Sequence, residues 1–142
     1  MTRMQVEEGV KRLAAEVRKR KYIVAAYLFG SAATGKLGPL SDIDVGFLLK
    51  KMSDRQMFKK ELELIGVVQS CFCRGEVDVV ILNEAPNLLS ANILKGRLVE
   101  SNNECQRVAY ETTVLCEHLD RDYHDRLRID AYVDRVAQRG LV

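Results

Sequence analysis

The chain has 142 residues, of which 47% are hydrophobic and 30% charged, and a formal net charge of +2 at pH 7. That size and apolar content suit a single globular domain over residues 1–142. A charge so close to balance argues against a strong nucleic-acid surface, though not against an anionic nucleotide.

The longest apolar run, residues 22–29, is eight residues, far short of a membrane span. Early charges (Arg3, Glu7, Glu8) and the lack of a hydrophobic signal core read as a cytoplasmic protein. The cysteines, Cys71, Cys73, Cys105 and Cys116, form no C-x-x-C pair. They read as small hydrophobes rather than as disulfides or, with His118 beside Cys116, as a metal site.

In chain order, Val6, Val10, Leu13 and Val17 recur at helical spacing and predict a helix over about residues 3–21. Its basic end, Arg18-Lys19-Arg20-Lys21, suits a helix C-terminus. Residues 22–49, YIVAAYLFGSAATGKLGPLSDIDVGFLL, then read as strand, glycine-marked turn, connector and strand. Gly30 and Ser31 stand where the first strand stops, and Asp42 and Asp44 follow after ten intervening residues. A short helix starting at Ala32-Ala33 would end near Gly35 or Gly38, and Pro39 would precede the second strand. Residues i and i+2 of a strand point to one face, so Asp42 and Asp44 project side by side with Ile43 turned into the core. Carboxylates held that close repel unless a cation lies between them, and hard oxygen ligands suit Mg²⁺.

Ser53 or Asp54 caps the next predicted helix, which runs to about Cys71 with Phe58, Leu62, Ile65 and Val67 or Val68 as its apolar stripe. Residues 75–82, GEVDVVIL, predict a third strand in which Asp78 replaces an expected apolar residue. An acid there needs a partner, solvent or a metal. If this strand lies beside the second, three carboxylates converge. Pro86 starts a short helix to about Lys95, with Leu88, Leu89, Ile93 and Leu94 on its buried side. Gly96 fits a C-terminal cap, and residues 97–100 fit an edge strand. The remainder is one long amphipathic helix or two. Cys105, Val108, Thr112, Leu115, Leu119 and Tyr123 follow helical spacing, and its first half is expected to pack back on the sheet. Its second half, 121–139, carries Tyr123, Leu127, Ile129, Tyr132, Val133 and Val136 among alternating charges. That half would project toward a partner or a second copy in a homo-oligomer.

Gly30-Ser31, ten residues, Asp42-Ile43-Asp44 and a later strand acid, Asp78, resemble the motif of the DNA-polymerase-β-like nucleotidyltransferases. At this length the chain resembles the minimal nucleotidyltransferase (MNT) family. Residues 77–99, VDVVILNEAPNLLSANILKGRLV, resemble its antitoxin branch, the MntA-type adenylyltransferases that accompany HEPN toxins. The resemblance implies an α/β (α+β) nucleotidyltransferase fold, a small mixed sheet flanked by helices. The catalytic core would span about residues 22–100 and a helical region about 103–142.

The resemblance further implies transfer of AMP from ATP to a hydroxyl, the acceptor being a tyrosine of a HEPN ribonuclease toxin. Asp42 and Asp44 would hold metal, two Mg²⁺ ions in all. Asp78 would bind the second ion, accept the acceptor's proton, or both. Gly30 and Ser31 would seat the phosphates. In one respect the chain departs from its relatives, which frequently carry an arginine soon after the motif serine. Here stand Ala32, Ala33 and Thr34, and the nearest cation is Lys36, a phosphate contact or a solvated loop residue. The toxin's arginine–histidine motif, spaced by four to six residues, is missing, since Arg121 is too near His124 and Arg107 too far from His118. The competing readings are a transferase for a small hydroxylated molecule such as an aminoglycoside, and a non-catalytic antitoxin that masks its toxin by contact.

Overall fold

The computed structural model describes residues 3–34 and 42–138, apart from the side chains of Thr34 and of residues 129, 130, 132 and 136–138. Gly35, Lys36, Gly38 and Pro39 therefore lie outside the described residues, as do the side chains of Ile129, Tyr132 and Val136.

Nine elements follow in the order α1 (Arg3–Lys19), β1 (Ile23–Phe29), α2 (Ser31–Thr34), β2 (Ile43–Leu49), α3 (Asp54–Phe72), β3 (Val77–Ile81), α4 (Asn87–Leu94), β4 (Arg97–Ser101) and α5 (Glu104–Gln138). The strands form one mixed sheet in the order β3-β2-β1-β4. β1 runs antiparallel to both its neighbours, and β2 pairs in parallel with β3. A parallel pair needs a crossover, which α3 supplies. The observed fold is the small mixed sheet flanked by helices that the motif implied, and β4 is the expected edge strand.

Alternation along the central strands sorts the core onto two faces. Ile43, Val45, Phe47 and Leu49 of β2 join Ala26 and Leu28 of β1 beneath α1 and α3, where Val10, Leu13, Val17, Leu64 and Val68 meet them. On the opposite face Val24, Ala25, Tyr27 and Leu48 pack with Leu82, with Ile93 of α4, and with the partly buried Tyr110 of α5. Gly46 lies on this second face, where an added Cβ would come within 2.9 Å of Ile93 Cγ2. By the same alternation Asp44 and its i+2 neighbours turn toward α4 and α5.

Side-chain amides lock the strand ends. Asn83 accepts from Leu49 N at 2.9 Å and donates to Leu49 O at 2.8 Å, continuing the sheet pattern past β3. Asn102 donates to Val17 O, Arg20 O and Ile23 O, tying the close of β4 to the α1–β1 turn. Ser53 and Gln56 form a reciprocal capping box at the start of α3, as expected for Ser53. Cys73, in the left-handed region at φ 52°, ends that helix.

The α1 stripe is as expected, with Val6, Val10, Leu13 and Val17 all buried. The stripes of α3 and α4 hold only in part, with Val68 and Ile93 buried as expected and Val67 and Leu94 packed against the core, and that of α5 is rotated. In α3 the buried residues are Met57, Leu64, Val68, Cys71 and Phe72, whereas Phe58 and Leu62 are 59% and 55% exposed. The helix is apolar at both sets of positions, so periodicity alone allows either phase. Contact with α1 and the sheet decides it.

In α4, Ser90, Ala91 and Ile93 face inward while Leu88 and Leu89 are exposed. Small residues let this helix lie close to the sheet. α5 is one continuous helix of 35 residues. Its first half does pack back on the sheet, but through Tyr110, Val114 and a polar link. The Tyr27 hydroxyl donates to Glu111 Oε1 at 2.6 Å, and Arg107 Nη1 donates to the same oxygen at 2.9 Å. Cys105, Val108, Thr112, Leu115, Leu119 and Tyr123 consequently lie on the exposed side. All four cysteines are free, and only Cys71 is buried.

Candidate active site

The candidate site forms where β1 ends and β2 and β3 begin. β3 does lie beside β2, and their parallel register sets Asp78 directly across from Asp44. Across the other edge of β2, Asp44 pairs with Phe29, the last residue of β1. The two strand acids therefore share one level of the sheet, next to the turn that carries Gly30 and Ser31.

The three acids differ in environment. Asp44 is half-buried, while Asp42, just before β2, and Asp78, on the edge strand, are exposed. Burial is the chief influence that raises the Asp44 carboxyl above its ordinary value, followed by the charges of Asp78 and then Asp42, with a hydrogen bond to Asp78 acting in the same direction. Two carboxylates joined in this way need a proton or a cation between them. Among the described residues no three His, Cys, Asp or Glu side chains are gathered closely enough to cage a metal ion. Cys116 and His118 belong to no such group either. What the strands deliver is a carboxylate pair with a third acid at electrostatic range. This donor set, all hard oxygen and poorly neutralised, fits a divalent cation such as Mg²⁺.

Gly30 explains how the pair is packed. Its φ is +69°, which non-glycine residues rarely adopt, and an added Cβ would overlap Asp44 Oδ2. The carboxylate thus rests on bare backbone at the turn. On its other side, the same turn borders a cleft of about 460 Å³, with Gly30, Ser31 and Ala33 on one wall and Asn92, Lys95 and Arg97 on the other. No motif in the sequence marks this second wall. Its only sequence signal is Gly96, where an added Cβ would overlap Leu28 O and come within 3.1 Å of Phe29 Cα. That close approach presses the α4–β4 turn onto the end of β1.

Several solved structures share this architecture. A chain of a toxin–antitoxin crystallised with AMP-PNP superposes with a TM-score of 0.66 at 19% identity, covering 87% of this chain and 98% of that one. A chain from a complex of a tri-AMPylated Shewanella oneidensis HEPN toxin with its MNT antitoxin gives 0.61 at 17% identity, covering 90% and 98%. An MntA–HepT toxin–antitoxin gives 0.61 at 17%, covering 89% and 98%. At these identities the likeness is one of fold. No curated protein matches the chain in sequence. The family described as Polymerase beta, Nucleotidyltransferase matches residues 11–105, and with two-thirds of its length so matched the chain belongs to the polymerase β nucleotidyltransferase family.

Proposed function

We propose that this chain transfers AMP from ATP to a tyrosine hydroxyl of a cognate HEPN ribonuclease toxin, and so acts as its antitoxin. The observation that carries the reading is the parallel register of Asp44 with Asp78, beside a glycine that admits the Asp44 carboxylate. The relatives support the acceptor: one was crystallised with AMP-PNP, and another is described as an MNT antitoxin in complex with a tri-AMPylated HEPN toxin.

In the transfer, the acceptor oxygen forms a bond to the α-phosphorus as the bond from that phosphorus to the departing pyrophosphate breaks. Pyrophosphate leaves with the bonding electron pair. Asp42, Asp44 and Asp78 would hold two divalent ions, whose bound charge offsets the negative charge that builds on the phosphates. Gly30 and Ser31 seat the phosphates on backbone where no side chain intervenes. Asp78, exposed on the edge strand, is the acid that an incoming hydroxyl can reach, and takes its proton. Positioning and electrostatics supply the rest.

The acceptor comes from another protein, in keeping with the tri-AMPylated HEPN toxin found in complex with an MNT antitoxin. The exposed side of α5 supplies a docking face, with Leu127 and Val133 as anchors, 47% and 55% exposed. The test is incubation of the protein with Mg²⁺, ATP and the HEPN protein encoded beside it, read by mass spectrometry. One or more AMP additions on a tyrosine are expected, and none with Asp42→Asn. Modification of a small hydroxylated compound in place of the protein would overturn the acceptor. Toxin silencing without any transfer would overturn the enzyme reading.

A further inference from the structure

We propose that Lys95, assisted by Asn92, is the cationic contact that holds the triphosphate of the nucleotide in the cleft beside Gly30 and Ser31. The inference rests on the nucleotidyl-transfer reading and adds a residue which neither the family motif nor the strand acids supply.

The site has a charge problem. Three acids face a polyanionic substrate, and divalent ions bound by those acids leave the complex of acids and triphosphate net negative. After Ser31 come Ala32, Ala33 and Thr34, so among the described residues the turn itself brings no cation. The opposite wall of the cleft does. It carries two cationic residues, Lys95 and Arg97. Arg97 is already matched, because Nη1 and Nη2 meet the two Glu7 carboxylate oxygens at 2.5 and 3.1 Å. Lys95 is exposed and has no ion-pair partner among the described residues, and the Asn92 amide has no hydrogen bond there either.

Their placement follows from the backbone. Gly96 lies so close to Leu28 and Phe29 that the last turn of α4 comes to rest across from Gly30 and Ser31. Asn92, on that last turn, and Lys95, which caps its end with helical backbone angles, are three residues apart and lie on one side. An ammonium suits this task as a compact point charge on a flexible stem, able to follow phosphate oxygens from the cleft wall. An amide three residues away adds a hydrogen-bond donor to the same oxygens.

The experiment measures binding of a non-hydrolysable ATP analogue, and separately of inorganic tripolyphosphate, by calorimetry with Mg²⁺ present. Lys95→Ala should weaken both by roughly tenfold, the scale of a lost charge-assisted hydrogen bond. Lys95→Arg should restore most of the affinity, and Asn92→Ala should cost less than Lys95→Ala. Melting without nucleotide should be unchanged in all three, since neither side chain has a partner among the described residues. Equal binding by Lys95→Ala and wild type, while Lys36→Ala loses affinity, would overturn the assignment and move the cation to Lys36. Loss of adenosine binding as large as the loss of tripolyphosphate binding would also overturn it, as that would not be a phosphate contact. Failure of the wild-type protein to bind any nucleoside triphosphate would remove both this inference and the transfer reading. Normal binding and transfer by wild type and Lys95→Ala alike would remove this inference only.

Discussion

The two faces of the sheet are built unequally. One is covered by two long helices, α1 and α3, whose buried residues join those of β1 and β2 in a single large cluster. The other has the eight-residue α4 and the first half of α5, and a cluster of six buried residues. Every candidate site acid belongs to the thinner side or to its rim. Where the cover is incomplete, Asp42 and Asp78 stay exposed and Asp44 only half-buried. A carboxylate costs less there than under a closed helical layer. The thick face holds the fold, and the thin face leaves room for a substrate.

If that division of labour is right, the largest effect should come from the thin face and fall on activity. Asp44→Asn should cut AMP transfer by roughly a thousandfold, the upper range for losing one preorganised electrostatic contact. The fold should survive, because a neutral amide relieves the repulsion from Asp78 and Asp42. Melting without Mg²⁺ should hold or rise. Full transfer by this variant, or a large drop in its melting temperature, would erase the distinction between the faces.

The thick face should give the reverse. Leu64 is fully buried between α3 and the sheet, and Leu64→Ala should lower stability by about 2–5 kcal/mol through lost burial and a cavity. On the same helix, Leu62→Ala should change stability by no more than about 0.5 kcal/mol, as is usual for exposed positions. Denaturant titration of the two variants separates the phases of α3 directly. Equal losses would mean that the expected stripe of Phe58 and Leu62 is in contact after all.

Much of the thick face was legible in the sequence, and less of the thin one. The eight apolar residues 22–29 and the alternation around Ile43, Val45 and Phe47 permit few arrangements other than central strands. Asp78 inside an apolar run pointed to its strand neighbour, and the observed register joins it to Asp44. Helix phase was harder to read. Where both sides of a helix carry apolar residues, as with Met57 beside Phe58 or Tyr110 beside Val108, a period of 3.6 fits two faces equally well. Only tertiary contact chooses between them. The cleft wall of Asn92 and Lys95 was hidden for a related reason. A sequence shows what sits on α4, whereas the place where α4 ends depends on the glycine contact with β1.

The smallest expected effect lies at the edge of the thick face and is a matter of pH. Tyr22 packs partly buried against the larger cluster, with its hydroxyl donating to Glu63 Oε2 at 3.2 Å and Lys60 Nζ lying 4.5 Å from its ring centre. Burial, and then the Glu63 carboxylate, push its phenol from 10 up to about 12. The folded state thus holds this proton more tightly than the unfolded state does. Its contribution is complete below pH 10 and is lost as the pH rises toward about 12. Tyr22→Phe removes both the bond and the titration while keeping the ring beneath Lys60. The variant should be the less stable protein at pH 8, and the gap from wild type should narrow between pH 10 and 12. Other alkaline groups, including the buried Tyr27 on the thin face, are common to both proteins and cancel in the difference. A gap that stays constant across this range in paired melting curves would show that the Tyr22 phenol titrates alike in both states, and that the thick face does not desolvate it at its edge.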